Sequence, residues 1–388
     1  MTRNAVNPRS RPIRLTGVVV AAVVLVAACQ GSGAPGSPAS SVVPSTSNSP
    51  ASAAPDVPAG TIAFNRVDES GEHYFTIHTD GTEEVELFSA EGCSCIGWSP
   101  TGDELWSVGV SDDGQVGFAT LQPDGSDRSV LVAPIPTLNL APGAGTSDGR
   151  LVAFNGWDET EPSNSGLWVG SPDLSDLRQV IPLPEGVIAV EPMAITADGA
   201  RVVFFGEQGP EDYVTHAGAL FAVNADGTSL QQLSPEGVHL AMVRGRPASL
   251  SPDGDRVAFA AFEGHPDDEL AAVYVVSIDG GDAERIIEPI RGIWSAAWSP
   301  VGERIAYAQW WDDAVLSVVN ADGSDQRDLT DPATDEVGFG VWSPDGAYLL
   351  AARGPEEFRE LWIIDPNGRF VAPVTDEPAR YDMYAWGP

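Results

Sequence analysis

From Ala59 onward, the chain alternates short apolar runs with polar segments that are rich in Gly, Asp, Pro and Ser. The apolar runs are about four to eight residues long, which is typical of strands and short for helices. Examples are Leu151–Phe154, Arg201–Phe204, Arg256–Phe259 and Arg304–Tyr307. The pattern predicts an all-β domain of many short strands.

One kind of polar segment recurs through this region. Its first form is Ser-Pro-x-Gly or a variant of it, and its glycine stands at positions 102, 149, 199, 254, 302 and 346, with spacings of 47, 50, 55, 48 and 44 residues. Its second form is Asp-Gly between apolar runs, ending at Gly227, Gly280 and Gly323. Asp-Gly is a strong hairpin signal because tight hairpin turns need positive φ. The unit is therefore four short antiparallel strands in about 47 residues, close to the length of a propeller blade.

The paired Ser-Pro-Asp-Gly and Asn-Ala-Asp-Gly motifs resemble the WD-like repeats of the TolB β-propeller family. Ser-Pro-Asp-Gly stands at Ser251–Gly254 and Ser343–Gly346, and Asn-Ala-Asp-Gly stands at Asn224–Gly227 and Asn320–Gly323. The resemblance covers residues 59–388 and implies a fold rather than one activity. Counting the repeats gives a seven-bladed β-propeller of four-stranded antiparallel blades.

The two ends of this region predict how the ring closes. Gly60–Phe64 reads as the second strand of a blade with no first strand before it. Tyr384–Pro388 reads as a first strand with nothing after it. We expect the two segments to complete one blade, which hides two sheet edges.

Charge narrows the class of partner. The 388 residues carry 56 acidic and 20 basic side chains, a formal net charge of −36, and every basic residue is Arg. Nucleic-acid binding needs a basic surface, so no nucleic-acid partner is expected.

The N-terminus predicts export and anchoring. Four Arg precede the 14-residue apolar run Leu15–Ala28, which suits a signal peptide and is short for a membrane span. Cys29 follows small residues and resembles a bacterial lipobox, which implies a diacylated, palmitate-bearing N-terminus on Cys29. We therefore predict a lipoprotein signal peptide over 1–28, a flexible Ser/Pro/Ala-rich tether over 29–58 and the propeller over 59–388. The protein would then lie outside the cytoplasmic membrane of a bacterial cell, attached to it by lipid.

The repeat also distinguishes the two ends of the propeller. The turns after the first and third strands of each unit are short, and we call that end the turn face. The loops after the second strands are longer and acidic, and we call the end that carries them the loop face. These loops lie around residues 68–72, 112–113, 158–161, 207–213, 263–269, 310–313 and 356–360, and they hold 20 Asp and Glu.

Aromatic residues are interleaved with these acids, so the loop face is our candidate binding surface for a cationic ligand or a basic partner. A solvated acidic surface that keeps the protein soluble is the alternative interpretation. The candidate binding residues are Trp157, Asp158, Asp212, Tyr213, His265, Asp267, Asp268, Trp310, Trp311, Asp312 and Asp313.

Cys93 and Cys95 form the remaining cysteine feature. Outside the cytoplasm a free pair tends to oxidise, and we expect a structural disulfide in a local turn. A reduced pair, and a redox or metal-binding pair, are the alternatives.

No catalytic constellation or metal-ligand pattern stands out, so no catalytic residue, metal or cofactor is assigned. The first hypothesis is a non-enzymatic binding or scaffold module that recognises a protein or glycan of the cell envelope through the loop face. The alternative is a propeller enzyme, a lyase or a glycoside-acting enzyme with a site at the central channel, possibly dependent on a divalent metal.

Overall fold

The computed structural model describes residue 57 and residues 59–387, except for the segments 91–95, 209–216, 242–246, 264–269, 310–313 and 356–357. The predictions for the segments 1–28 and 29–58 concern residues that, apart from Val57, lie outside this description, as do Cys29, Cys93 and Cys95. The described residues form 29 strands and the single 3-10 turn Pro162–Asn164. None of their helical structure is long and apolar enough to cross a membrane.

Five sheets are antiparallel meanders of four strands, as the repeat predicts. In each of them, the first strand of the unit lies at one edge and the fourth at the other, because short turns pair neighbours along the chain. Their strands are β1 (Thr61–Asp68), β2 (Gly71–His78), β3 (Val85–Ala90) with β29 (Tyr384–Trp386); β4 (Ile96–Trp98), β5 (Leu105–Val110), β6 (Val116–Leu121), β7 (Ser129–Leu131); β8 (Asn139–Gly145), β9 (Val152–Trp157), β10 (Gly166–Gly170), β11 (Arg178–Pro182); β21 (Ile293–Trp298), β22 (Arg304–Gln309), β23 (Val315–Asn320), β24 (Arg327–Asp328); and β25 (Val337–Trp342), β26 (Leu349–Arg353), β27 (Glu360–Ile364), β28 (Phe370–Pro373).

The sixth sheet has nine strands, so the structure has five separate four-stranded blades where the repeat predicted seven. The cause is one extra strand in a connection. Val238–Ala241 pairs with the first two residues of Ala217–Asn224 on one side and with the last two residues of Arg256–Glu263 on the other. It thereby joins two meanders into one sheet. The strands of this sheet are β12 (Ala189–Ile195), β13 (Arg201–Glu207), β14 (Ala217–Asn224), β15 (Gln231–Gln232), β16 (Val238–Ala241), β17 (Ala248–Leu250), β18 (Arg256–Glu263), β19 (Leu270–Ser277) and β20 (Glu284–Arg291).

The predicted closure of the ring is confirmed. The C-terminal strand β29 pairs antiparallel with β1, with Ile62 opposite Trp386 and Phe64 opposite Tyr384. The Tyr384 ring stacks on Phe339 of β25 at 4.3 Å between centroids, and its hydroxyl donates a hydrogen bond to the Phe339 carbonyl. The last residues of the chain therefore join the first strand to the last complete meander.

The described residues form seven apolar clusters, of which six combine residues of two neighbouring sheets and one lies within the nine-stranded sheet. The tryptophan that ends several first strands belongs to these clusters. Trp298 and Trp342 are buried, and the guanidinium groups of Arg256 and Arg304 lie over their rings at 4.9 and 5.4 Å. Each of these arginines comes from the sheet preceding that of its tryptophan. The recurrent Trp-x-x-x-Gly segment thus packs one sheet against the next.

The turns after the first strands share a hydrogen-bond network. The Ser251 hydroxyl donates to the Asp253 carboxylate at 2.5 Å and accepts the backbone N–H of Arg256 at 2.9 Å. Thr196 makes the same two bonds, at 2.7 and 3.0 Å, in a turn that lacks the Ser-Pro sequence. Because threonine supplies the same hydroxyl as serine, the divergent repeats keep the same turn.

Two aspartates of the turn face, Asp148 after a first strand and Asp173 after a third strand, predict a fold stability that decreases in acid. Hydrogen bonds from Arg150 and Thr146 lower the pKa of Asp148 from 3.8 to about 2, and bonds from Ser171 and Ser175 lower the pKa of Asp173 from 3.8 to about 2. A depressed folded-state pKa stabilises the fold above the unfolded pKa, and that stabilisation is lost as pH falls through the folded pKa. We expect the free energy of unfolding, measured with urea, to fall as pH drops from about 4 to 2.

The combined variant Asp148→Asn and Asp173→Asn should show a shallower loss of stability over this pH range, because two of the titrating groups are gone. Asp255→Asn is the matched control, since Asp255 is an exposed residue of the same kind of turn. Equal pH dependence in the double variant and the wild type would contradict the role of these hydrogen bonds.

Candidate functional site

The meander topology places the two kinds of connection at opposite ends of the ring, as predicted. The short turns that contain Asp148, Asp198 and Asp253 lie at the turn face, and the loop 158–165 lies at the loop face. Of the predicted binding residues, Trp157 and Asp158 are described. The others lie outside the described residues: Asp212, Tyr213, His265, Asp267, Asp268, Trp310, Trp311, Asp312 and Asp313.

A polar cleft of about 330 Å³ opens at the loop face beside Trp157. It lies between the sheet β4–β7 and the sheet β8–β11, and half-buried Trp157 forms part of its wall. Asp113 and Glu159 supply carboxylates to the lining, and Thr137 and Thr160 supply hydroxyls. Such a lining suits a ligand that carries positive charge or several hydrogen-bond donors.

The connection that forms one side of the cleft is held by side-chain hydrogen bonds. The Gln115 amide donates to the carbonyls of Leu138 and Ile135 at 2.7 and 3.0 Å. The Asn139 side chain accepts the backbone N–H of Val116 at 2.9 Å. These bonds cross from one sheet to the next, so the cleft is positioned by the scaffold rather than by a free loop.

Asp158 organises the loop 158–165 from inside. It is 2 % exposed, and its carboxylate accepts hydrogen bonds from the Thr137 hydroxyl at 2.7 Å and the Asn164 amide at 2.8 Å. It also accepts the backbone N–H groups of Thr160 and Glu161, both at 2.9 Å. Burial raises the pKa of Asp158, but these four bonds outweigh it and hold the pKa below its ordinary value. Asp158 therefore fixes the loop, and its neighbours Trp157 and Glu159 are the groups presented to solvent.

The remaining described acids of the loop face fall into two groups. Glu72 accepts a hydrogen bond from the Tyr74 hydroxyl, Glu263 accepts one from Arg285 at 2.7 Å, and Glu360 accepts one from the Trp362 indole at 3.0 Å. In contrast, Glu69, Asp112 and Glu159 are exposed. Within the described parts of the chain, no side-chain hydrogen bond or ion pair engages these three carboxylates.

Among the described residues, three of the five exposed large apolar side chains lie at the loop face, whereas the other two, Leu230 and Val301, lie at the turn face. Phe358 is 69 % exposed, Ile188 48 % and Leu270 45 %, and each lies in or beside a loop at the loop face. Large apolar side chains held in solvent next to charged groups are typical of interaction surfaces. This signal was missed from the sequence, because it depends on which apolar residues the packed sheets leave uncovered.

The central channel has little ionisable chemistry. Among the described residues of the first strands, which line the channel, Glu191 and Tyr384 are the ionisable side chains. The Tyr384 hydroxyl is already bound to Phe339. No group of three or more His, Cys, Asp or Glu with the geometry of a metal site occurs in the part of the chain that the structure describes.

The sequence missed Gln115, Thr137 and Asn139 as parts of the candidate site. Thr137 and Asn139 belong to the connection and first strand of one sheet, whereas Gln115 comes from the preceding sheet. Nothing in their local sequence marks them. Only the packing of two successive meanders brings them beside Trp157.

Comparison with solved structures identifies the fold. TolB from Acinetobacter baumannii matches with a TM-score of 0.50 and 16 % sequence identity, covering 85 % of this chain and 67 % of that one. An oligogalacturonate lyase in complex with manganese matches at 0.55 and 11 % identity, covering 84 % and 85 %. A puromycin hydrolase mutant matches at 0.55 and 18 % identity over 78 % of this chain and 48 % of that one.

No family model and no curated protein matches the sequence. The solved structures share less than a fifth of their residues with this chain, so they show a fold and not an activity. The chain has a TolB-like β-propeller fold, which confirms the resemblance drawn from its repeats.

The role of Asp158 in fixing the loop 158–165 can be tested by measuring the free energy of unfolding of a variant. Asp158→Ala should lower the free energy of unfolding by about 2–4 kcal/mol, because several donors lose a buried charged acceptor. Urea denaturation measures the change. Glu159→Ala, the exposed neighbour, should stay within about 0.5 kcal/mol of the wild type. If Asp158→Ala unfolded at the same urea concentration as Glu159→Ala, the carboxylate would not be organising the loop.

Proposed function

We propose that this protein is a lipid-anchored, extracytoplasmic propeller that acts as a non-enzymatic binding module. Its ligand is a partner in the cell envelope that presents basic groups to the loop face. The observation that carries the proposal is the asymmetry between the two ends of the ring. At the turn face, the aspartates that follow a turn Ser or Thr by two residues, such as Asp148 and Asp253, accept a hydrogen bond from that hydroxyl. Other aspartates of this face, such as Asp255, are exposed. At the loop face, exposed Glu159 lines a cleft together with half-buried Trp157, and exposed apolar side chains occur at the same end of the ring.

Specific hydrogen bonds support this asymmetry. On the turn face, Asp198 accepts from Thr196 at 2.7 Å and Asp345 accepts from Ser343 at 2.6 Å. Glu303, on the same face, is paired with Arg256 at 2.8 Å. On the loop face, exposed Glu159 and exposed Asp113 line the same cleft as half-buried Trp157. Aromatic and acidic groups together suit a basic protein surface, because the aromatic groups supply contact area and the acids attract opposite charge.

We further propose that the ring has seven blades. The nine-stranded sheet contains two four-stranded meanders, β12–β15 and β17–β20, and β16 is the bridge between them. Seven apolar clusters are formed by the described residues, and each combines residues of two consecutive meanders when the bridged sheet is divided in this way. A closed ring of seven blades has seven such interfaces.

A metal-dependent enzyme is the rival function. The fold similarity to a lyase in complex with manganese favours it. In the described residues of the first strands, which line the channel, Glu191 is the single carboxylate and there is no histidine. These residues do not supply the set of ligands that a manganese ion would need. A hard divalent cation prefers several oxygen ligands. We therefore prefer the binding function to a metal-dependent reaction.

Neutralising the loop face should weaken capture of the partner. The variant combines Asp267→Asn, Asp268→Asn, Asp312→Asn and Asp313→Asn. In intact cells, reversible cross-linking should recover the partner about fivefold less well or worse, because each exposed ion pair contributes about 0.2–1 kcal/mol. The salt dependence of capture should also become flatter.

The matched control removes four exposed acids from the turn face: Asp127→Asn, Asp255→Asn, Asp282→Asn and Asp325→Asn. This control variant loses the same four negative charges as the loop-face variant, and we expect it to capture the partner as well as the wild type does. Equal loss in both variants would mean that net charge alone, not the loop face, governs recovery. Unchanged capture in the loop-face variant would contradict the proposal, and recovery of a glycan rather than a protein would revise the class of partner.

The anchor can be tested separately. Cys29→Ala removes the thiol that lipidation requires, so the protein should lose fatty-acid labelling and leave the membrane fraction. Metabolic labelling with an alkyne fatty acid, followed by fractionation, measures both. Cys93→Ala is the control and should retain the label. Persistent labelling and membrane retention of Cys29→Ala would contradict the lipoprotein assignment.

A further inference from the structure

A second cavity opens where the central channel meets the turn face, at the opposite end of the ring from the loop face. Its volume is about 300 Å³. The first strands β4, β8, β12 and β17 contribute most of its wall, and Trp98, Met193 and Leu250 are among the lining side chains.

The cavity has an identifiable origin in the repeat. Each first strand ends at the same position of the repeat, just before the turn. In four of the first strands this residue is Trp98, Trp298, Trp342 or Trp386, and in the other three it is Gly145, Ile195 or Leu250. These three smaller residues come from consecutive first strands, and all three line the cavity. The space therefore lies where the ring lacks tryptophan.

Glycine keeps this space open. A Cβ atom built on Gly97 would meet nothing within 4 Å, which places that face of β4 against empty volume. A Cβ atom on Gly145 would lie 2.7 Å from Pro100 and 2.8 Å from Trp106, so β8 approaches the neighbouring sheet as only glycine allows. The cavity is therefore open beside Gly97 of β4 and bounded where β8 approaches the neighbouring sheet at Gly145.

The side chains that line the cavity are apolar, and backbone N–H and C=O groups supply most of the polar part of its surface. No charged side chain contributes to it. The indole N–H of Trp98 donates to the Ala385 carbonyl at 3.3 Å, and that of Trp106 donates to the Glu104 carboxylate at 3.0 Å. Since both indole donors are already used, the cavity offers a ligand aromatic and aliphatic surface and little side-chain hydrogen bonding.

We propose that this cavity is a binding site for a small, uncharged, largely apolar molecule with an aromatic ring system. An apolar cavity of about 150 Å³ is enough to bind benzene, so twice that volume suits a two-ring compound. The surrounding turn-face aspartates and the net charge of −36 disfavour an anion. This site is independent of the loop face and does not rest on the binding function proposed for it.

The test uses Prodan (6-propionyl-2-dimethylaminonaphthalene), an uncharged probe with two fused aromatic rings whose emission shifts to shorter wavelength in apolar surroundings. The full chain carries Cys29→Ala in every sample, so that no detergent is needed. The reference protein should bind one probe saturably. Gly97→Leu, which fills the open space, should weaken binding by about tenfold or more.

Ala297→Leu is the matched control, because Ala297 holds the position of Gly97 in its repeat, but the next first strand there ends in Trp342, whose indole N–H donates to the Ala297 carbonyl. It should leave probe affinity within about twofold, a difference of less than about 0.5 kcal/mol. Leu250→Trp is a second blocking variant that restores the tryptophan of the repeat and covers the case in which Gly97→Leu does not fold. The proposal would be overturned if the reference protein did not bind the probe saturably. It would also be overturned if the folded blocking variants bound the probe with unchanged affinity.

Discussion

The structure depends on one constraint, which is that the first and last strands must share a sheet. Three residue pairs between β1 and β29 satisfy it, and Tyr384 extends the contact by stacking on Phe339 and binding its carbonyl. A propeller whose ends remained unpaired would expose two sheet edges and leave one cluster of the core without a partner. Because closure fixes every sheet against its neighbours, it also fixes which loops meet at each end of the ring. The candidate surfaces are consequences of that geometry.

The two ends of the ring use their carboxylates differently. At the turn face, the aspartates that follow a turn Ser or Thr by two residues stabilise the turns, because that hydroxyl and a backbone N–H donate to their carboxylates. Thr146 and Thr196 preserve these bonds where the Ser-Pro sequence is lost. At the loop face, Asp158 has the same structural role within a single loop, and it frees Trp157 and Glu159 to face solvent. A strongly acidic chain can therefore hold much of its charge in stable turns and still present acids for recognition.

The repeat made the fold predictable, because Asp-Gly and Ser-Pro-x-Gly report backbone conformation directly. The strands, the closure and the two unequal ends all follow from that local chemistry. The bridge β16 could not be predicted, since Val238–Ala241 forms a strand only through pairing with two others. The cleft beside Trp157 could not be predicted from the sequence either, because Gln115, Thr137 and Asn139 come together only through the packing of successive sheets. Asp158 is 2 % exposed, a burial that its own sequence does not indicate because one of its hydrogen-bond donors, Thr137, lies in another connection.

The central claim is that the loop face, and not the turn face, meets a partner outside the cell membrane. Site-specific photo-cross-linking in intact cells tests it most directly, with the reactive residue placed at Glu159 on the loop face or at Asp255 on the turn face. Both positions are exposed. The account predicts a discrete adduct from position 159 that weakens as salt is raised, and none from position 255. Adducts from position 255 alone, or equally from both positions, would contradict it.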